Sequence, residues 1–263
     1  MTQTYAVTGA ASGIGKATKE QLEALGNRTI GIDIHDTDVV VDLATVDGRE
    51  ALVKEVTELS GGVLDGVAAV AGLSGPTVAT AQVNYFGAVA TLEGLRPLLE
   101  KADAPRAVLV SSMASLFPFD PELAVALDAG DERAAVARAR ALEAAGGDEG
   151  ALIYGTTKRG IIRWMRRVSA TPEWAGKGIS LNAVAPGLVE TPMIAEMVST
   201  PEKLAAMLER VPMPLNGMVQ ASDVAEVLLF LLSPTAGHLC GQTVFVDGGS
   251  DVVIRGESIF PID

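Results

Sequence analysis

The chain has 263 residues, 48% of them hydrophobic, which suits one large α/β unit with a substantial buried core. A formal net charge of −13 repels nucleic-acid phosphates and anionic membrane surfaces, so neither is an expected partner. One cysteine (Cys240) and two histidines (His35, His238) leave no intrachain disulfide and no zinc set, and no metal is expected.

Taken in chain order, the sequence alternates short β-rich runs with longer helical ones. Strands are predicted at 5–8, 28–33, 67–71, 107–111, 179–185 and 243–247. Helices are predicted near 14–26, 47–60, 77–101, 154–170 and 222–233. Near-continuous apolar strands are buried on both faces, and their alternation with helices implies βαβ crossovers. The expected architecture is an α/β doubly wound parallel sheet of the Rossmann type, in one domain over 1–263. The Ala-rich run 117–150, punctuated by Gly130 and Gly146-Gly147, interrupts the alternation and is predicted to form two helices around a turn. The apolar run 224–232 is too short to span a membrane and carries Glu226. The N-terminus lacks the basic-then-apolar order of a secretory leader, and a cytoplasmic protein is expected.

The segment T-G-A-A-S-G-I-G (8–15) places Gly9, Gly13 and Gly15 between the first strand and the first helix. A tight surface turn is one reading. The other is a dinucleotide cradle, in which missing side chains and unpaired helix N–H groups admit a pyrophosphate. Asp33, ending the second strand about 20 residues on, suits an acid that bonds ribose hydroxyls. A carboxylate there repels a 2′-phosphate, so NAD is expected rather than NADP. A strand-end aspartate also caps turns. Asp42-Leu43, after a third apolar stretch, is placed to flank adenine or to serve as a simple turn. His35 reads as a solvated loop residue near the same place, and Trp164 and Trp174 read as packing residues.

The glycine spacing T-G-x-x-x-G-I-G resembles the short-chain dehydrogenase/reductase family, and five further motifs in the family's order join it. They are V-N-Y-F-G (83–87), S-S-M-A (111–114), Y-G-T-T-K (154–158), N-A-V-A-P-G-L-V-E-T (182–191) and Q-T-V-F-V-D-G-G (242–249). One departure is A-V-A-G (69–72), where many members carry two asparagines. The resemblance implies hydride transfer between a nicotinamide and a carbonyl or carbinol carbon. It implies a catalytic set of Asn84, Ser112, Tyr154 and Lys158. Cofactor contacts are implied at Gly9, Ser12, Gly13, Ile14, Gly15, Asp33, Asp42, Leu43, Ala71 and Gly72. Further contacts are implied at Tyr154, Lys158, Pro186, Gly187, Val189 and Thr191.

Tyr154 and Lys158 lie four residues apart on a predicted helix and so share a face. The nearby ammonium is expected to lower the phenol pKa towards neutrality. Ser112 is expected to orient a carbonyl and stabilise oxyanion charge. Asn84 is expected to hold a proton-relaying water. The long interval between Ser112 and Tyr154, with G-I-D-I (31–34) and V-A-G-L-S-G (70–75), is similar to the bacterial 3α-hydroxysteroid dehydrogenase/carbonyl reductase group. That likeness implies a steroid or another bulky apolar ketone or secondary alcohol. The runs 113–119 and 192–198 are the expected pocket lining. Small cyclic, terpenoid or aryl alcohols are the alternative substrates, and a non-catalytic dinucleotide sensor is the alternative class. The family likeness implies a homodimer or homotetramer, and the tail 250–263 is a candidate interface segment.

Overall fold

The computed structural model describes residues 2–260, so the last three residues of the 250–263 tail lie outside it. The chain opens with β1 (Thr4–Thr8), α1 (Gly13–Ala24), β2 (Arg28–Asp33), β3 (Val39–Val40), α2 (Val46–Ser60) and β4 (Gly66–Ala69). Next come α3 (Val78–Ala81), a wide π-helical turn at Gln82–Gly87, α4 (Ala88–Leu99) and β5 (Arg106–Val110). Three helices follow: α5 (Pro121–Asp128), α6 (Glu132–Ala145) and α7 (Gly147–Val168). The rest is β6 (Ser180–Pro186), β7 (Val189–Glu190), α8 (Pro201–Arg210), β8 (Val219–Gln220), α9 (Ala221–Leu232), β9 (Thr243–Val246) and α10 (Ser250–Arg255).

Seven strands form one parallel sheet in the order β3-β2-β1-β4-β5-β6-β9. The winding reverses between β1 and β4. At such a switch point two loops diverge beyond the carboxyl ends of the strands and leave a crevice. Period-2 alternation divides the strand side chains between two cores. Ala6, Val67, Ala107, Leu109 and Ala183 face α2, α4 and α7. Tyr5, Val7, Ala68, Val108 and Val184 face Leu22 of α1 and Val224 and Leu228 of α9.

The 117–150 run forms the two expected helices, α5 and α6. Asp120 caps α5 by accepting from Leu123 N–H at 2.7 Å, and Asp131 caps α6 from Ala134 N–H at 2.9 Å. Leu123, Leu127, Ala135, Ala139 and Leu142 bury the pair in the core shared with α7. Asp120 also pairs with Arg138 through Oδ1 at 3.0 Å and Oδ2 at 2.6 Å, and its own N–H donates to Thr156 Oγ1 at 2.9 Å. One buried aspartate therefore joins both inserted helices through its carboxylate and ties them to α7 through its own N–H.

Three boundaries differ from expectation. α7 starts at Gly147, seven residues before Tyr154, because the turn is made at Gly146 and Gly147, both at positive φ, with Asp148 and Glu149 in the first helical turn. The helix expected over 77–101 contains the π turn at Gln82–Gly87. Residues 201–210, given no element above, form α8, with Thr200 accepting from Lys203 N–H and Pro201 at the first helical position.

Candidate active site

The glycine turn is shaped by close approach. Gly9, at φ +72°, lies against the loop after β4: a Cβ on it stands 3.0 Å from Ala71 N and Cα. A Cβ on Gly15 stands 2.1 Å from Gly9 O, so only glycine lets α1 begin so near β1. Thr8, the first residue of the motif, accepts from Val70 N–H at 2.9 Å and Ala71 N–H at 3.0 Å. It fastens together the two loops of the switch point. This threonine was not singled out above, although its fixed place before Gly9 is the signal that marks it.

The N-terminus of α1 opens into a cavity of about 470 Å³. Ser12 makes no side-chain cap there and the first turn holds no acid, so the helix N–H groups face the cavity without a protein anion. The wall includes Gly9, Ser12, Gly13, Ile14 and Gly15 on one side and Asp33, Asp42 and Leu43 at one end. Ala71 and Gly72 lie beyond them, with Ser112, Tyr154, Lys158, Pro186, Gly187, Val189 and Thr191 at the other end. Thr191 faces Gly13 closely: a Cβ on Gly13 stands 3.1 Å from its Cγ2. Asp33 accepts from Ala11 N–H at 3.0 Å through Oδ2 and from Ile34 N–H at 2.7 Å through Oδ1. The first bond joins it directly to the glycine turn. Asp42 is exposed and accepts from Ala44 N–H at 2.8 Å, so it shapes the turn that brings Leu43 to the wall. His35 lines the same end. An apolar-floored crevice with uncapped helix N–H groups and a strand-end carboxylate suits an extended dinucleotide.

Of the expected site residues, Asn84 alone does not line this cavity. It is buried behind the wall on the π turn, a helix irregularity frequent at functional sites. Its Oδ1 accepts from Leu73 N–H at 2.7 Å, while Nδ2 donates to Leu73 O at 2.8 Å and Thr157 Oγ1 at 3.3 Å. The amide is thus committed to the loop after β4 and to Thr157. Together with Thr8, it supplies the local bonding that A-V-A-G lacks in its own side chains. Gly72 makes the junction possible, since a Cβ there stands 3.1 Å from Asn84 Oδ1 and 3.2 Å from Lys158 Nζ.

Lys158 is 4% exposed, and its Nζ donates to Val110 O at 2.9 Å. Burial pulls the ammonium down to about 8. Its Nζ lies 5.9 Å from the centre of the Tyr154 ring. Burial pushes the Tyr154 phenol up, and the hydrogen bond with Ser112 partly opposes this. Lys158 adds no lowering beside these two causes, and desolvation of the phenolate prevails in this geometry. Ser111 donates to Lys158 O at 2.8 Å and so supports α7, whereas Ser112 faces the site and accepts from Ala114 N–H at 3.1 Å.

A second cavity of about 320 Å³ joins the first. Ser112, Tyr154, Gly187, Met193 and Ile194 line both, so the two spaces meet at the serine and tyrosine hydroxyls. Met113, Ala114, Phe117 and Pro118 of the expected lining reach the second cavity, as do Met193, Ile194 and Met197. Phe119 does not: it stacks under the Arg159 guanidinium at 4.3 Å. Leu188, Met207, Arg210 and Val211 also line the wall, as do Ser74, Pro76, Gly147, Ala151 and Gly155, and none of these was expected from sequence. Met207 and Arg210 lie at i and i+3 and so share a face of α8, but one apolar and one charged residue do not announce a pocket lining. Among the described residues, no group of three or more His, Cys, Asp or Glu side chains is placed to hold a metal, and no helix is long and apolar enough to cross a membrane.

The switch-point crevice and the adjoining hydroxyl pair define a dinucleotide-dependent oxidoreductase. Comparison with known proteins places it more closely. A family model described as enoyl-(acyl carrier protein) reductase matches residues 126–251. The 3α-hydroxysteroid dehydrogenase/carbonyl reductase of Comamonas testosteroni is 38% identical, over 95% of this chain and 96% of that protein. Galactitol 2-dehydrogenase (L-tagatose-forming) of Cereibacter sphaeroides is 32% identical, over 94% of each. The crystal structure of the 3α-hydroxysteroid dehydrogenase from Pseudomonas sp. B-0831, complexed with NADH, superposes with a TM-score of 0.88 at 39% identity. That match covers 97% of this chain and 99% of the other. The chain belongs to the short-chain dehydrogenase/reductase family. It is an NAD(P)-linked oxidoreductase acting on the CH–OH group of small molecules.

Proposed function

We propose that the protein interconverts bulky apolar secondary alcohols and ketones, 3α-hydroxysteroids foremost, with NAD as the cofactor. The observation that carries this reading is the meeting of a dinucleotide-shaped cavity and an apolar cavity at Ser112 and Tyr154. Both relatives named for 3α-hydroxysteroid chemistry match nearly the whole chain, which favours that substrate class over small polyols. NAD is preferred because Asp33 sits at one end of the first cavity, where a 2′-phosphate meets its charge. Lys158 is the one Lys or Arg among the described lining residues, and it lies at the other end.

The bound cofactor supplies or accepts the hydride. The chain supplies position and proton control. The α1 N-terminus and the glycine turn receive the pyrophosphate, Asp33 the ribose, and Val189 and Thr191 the carboxamide end. Ser112 orients the carbonyl oxygen and offsets its developing charge. Tyr154, held neutral by burial, gives its proton to that oxygen in reduction and must first lose it to act as base in oxidation. Lys158 stabilises the resulting phenolate, and Asn84 acts as a positioning residue by fixing the loop at Leu73.

The raised phenol fixes the sign of the pH dependence. Alcohol oxidation should accelerate as pH rises above neutral, while ketone reduction should not. A substrate panel tests the reading: androsterone-like 3α-hydroxysteroids against cyclohexanol and galactitol, each with NAD and with NADP. The expected result is a higher kcat/KM for the steroid with NAD, by about tenfold or more over the small alcohols. Equal or better turnover of cyclohexanol or galactitol would contradict the substrate class, and equal use of NADP would contradict the role of Asp33.

A further inference from the structure

Past the end of β6 the chain runs between the two cavities. Gly187 lines both, Leu188 the second, and Val189 and Thr191 the first. Backbone bonds hold part of this stretch: Gly187 N–H donates to Val246 O at 3.0 Å, and Leu188 O accepts from Val219 N–H at 2.9 Å. The remaining bond is of another kind. Leu188 N–H donates to the thioether of Met213, 3.2 Å from Sδ, and has no other acceptor among the described residues. Both residues are buried, so water does not replace the sulfur. A buried backbone N–H ordinarily takes a carbonyl or a hydroxyl, and a thioether is a weak acceptor. Ordinary strand or turn pairing therefore does not account for the arrangement.

Two glycines make room for that sulfur. A Cβ on Gly187 stands 2.9 Å from Met213 Sδ and Cε, and one on Gly248 stands 3.1 Å from Met213 Cβ. Met213 thus fills a slot between the turn after β6 and the turn after β9, packed with Leu188, Val211 and Met113. Beyond Leu188 the stretch is continuous with the first cavity. Val189 pairs with Val219 in the β7–β8 ribbon, and Thr191 Oγ1 donates to Val189 O at 3.3 Å. A shift of the Leu188 amide is therefore passed directly to Val189 and Thr191.

We infer that Met213 is a positioning residue for the nicotinamide: its sulfur fixes the Leu188 amide and, through it, the Val189 and Thr191 groups that receive the carboxamide. The inference rests on the placing of the carboxamide end proposed above and adds to it a residue that touches neither cofactor nor substrate. Its effect is confined to one half of the cofactor. The glycine turn and Asp33 form the other end of the cavity and share no hydrogen bond with Met213.

The test measures binding of NADH, and of ADP-ribose, which lacks the nicotinamide, to the parent, Met213→Leu, Met213→Ile and Met213→Gln. No alcohol or ketone is present, so the outcome is independent of the substrate class. Leu and Ile nearly keep the volume without the acceptor, and such exchanges are usually tolerated in a core. A folded apolar variant should bind NADH about three- to tenfold more weakly than the parent and ADP-ribose equally well. Met213→Gln restores an acceptor and should recover part of the loss. A merely structural role would weaken both ligands alike, or neither. Unchanged NADH binding in a folded apolar variant, an equal loss for both ligands, or no recovery in Met213→Gln would overturn the inference. If the parent itself binds NADH no more tightly than ADP-ribose, the carboxamide reading fails and the inference falls with it.

Discussion

Lys158 shows at the residue scale how function opposes stability. Burial lowers its ammonium to about 8, below the ordinary value of 10.5, so the charged form is disfavoured in the folded chain. The destabilisation is fully present below pH 8, where both folded and unfolded chains hold the proton. Between about pH 8 and 10.5 the unfolded chain binds a proton that the folded chain does not, so this group makes stability rise with pH across that window. Lys158→Met removes the buried charge and leaves Val110 O without its partner. The cofactor-free variant should be more stable than the parent at pH 7 by about 1–2 kcal/mol. The gap should narrow by pH 10, while oxidoreductase activity falls sharply. Denaturant midpoints at the two pH values check this; a variant clearly less stable at pH 7 would refute it.

At the scale of elements, the inserted helices α5 and α6 depend on one carboxylate. Asp120 caps α5, pairs with Arg138 on α6 and donates its N–H to Thr156 on α7. Asp120→Ala removes the cap and leaves Arg138 unpaired by it, and should lower stability by about 2–3 kcal/mol. The Arg138 guanidinium holds the Asp120 carboxyl below the usual carboxylate range. Its contribution is therefore present above pH about 4 and lost as pH falls through the depressed folded value. The difference between parent and Asp120→Ala in urea unfolding should accordingly vanish in strong acid; a difference that persists there would contradict the assignment.

Legibility followed the strength of local signals. The six strands read from β-rich runs all join the main sheet, and the two helices of 117–150 were visible from Gly130, Gly146 and Gly147. The two-residue strands β3, β7 and β8 carry too little periodicity to be read. α8 did have a signal, Thr200 followed by Pro201 and Glu202, but no buried face to reinforce it. The wall of the first cavity was legible because glycines and strand-end acids have fixed geometric duties. Asn84 itself was legible from V-N-Y-F-G, but the partners of its amide and the place of Arg210 on the second cavity were not, because these are set by packing between segments far apart in the chain.

For the whole molecule, the parallel sheet places its winding reversal, glycine turn and hydroxyl pair along one edge of carboxyl ends. The described surface also carries apolar groups that a monomer leaves in water. Val252 is 71% exposed, Phe260 76% and Phe230 47%, on or near the last two helices. The protein is expected to self-associate as a dimer or tetramer through such surfaces. Sedimentation at micromolar concentration checks this, and a lone monomer would count against it.

The meeting of an apolar alcohol and NAD at Tyr154 is the reaction proposed. Its most direct test is the formation of NADH, followed by near-ultraviolet absorbance, on mixing NAD and a 3α-hydroxysteroid with the parent and with Tyr154→Phe. Rapid NADH formation by the parent is expected, with a loss of about 10²- to 10⁴-fold in kcat in the variant and NADH binding retained. Undiminished turnover by Tyr154→Phe, or no turnover by a parent that binds NADH, would contradict it.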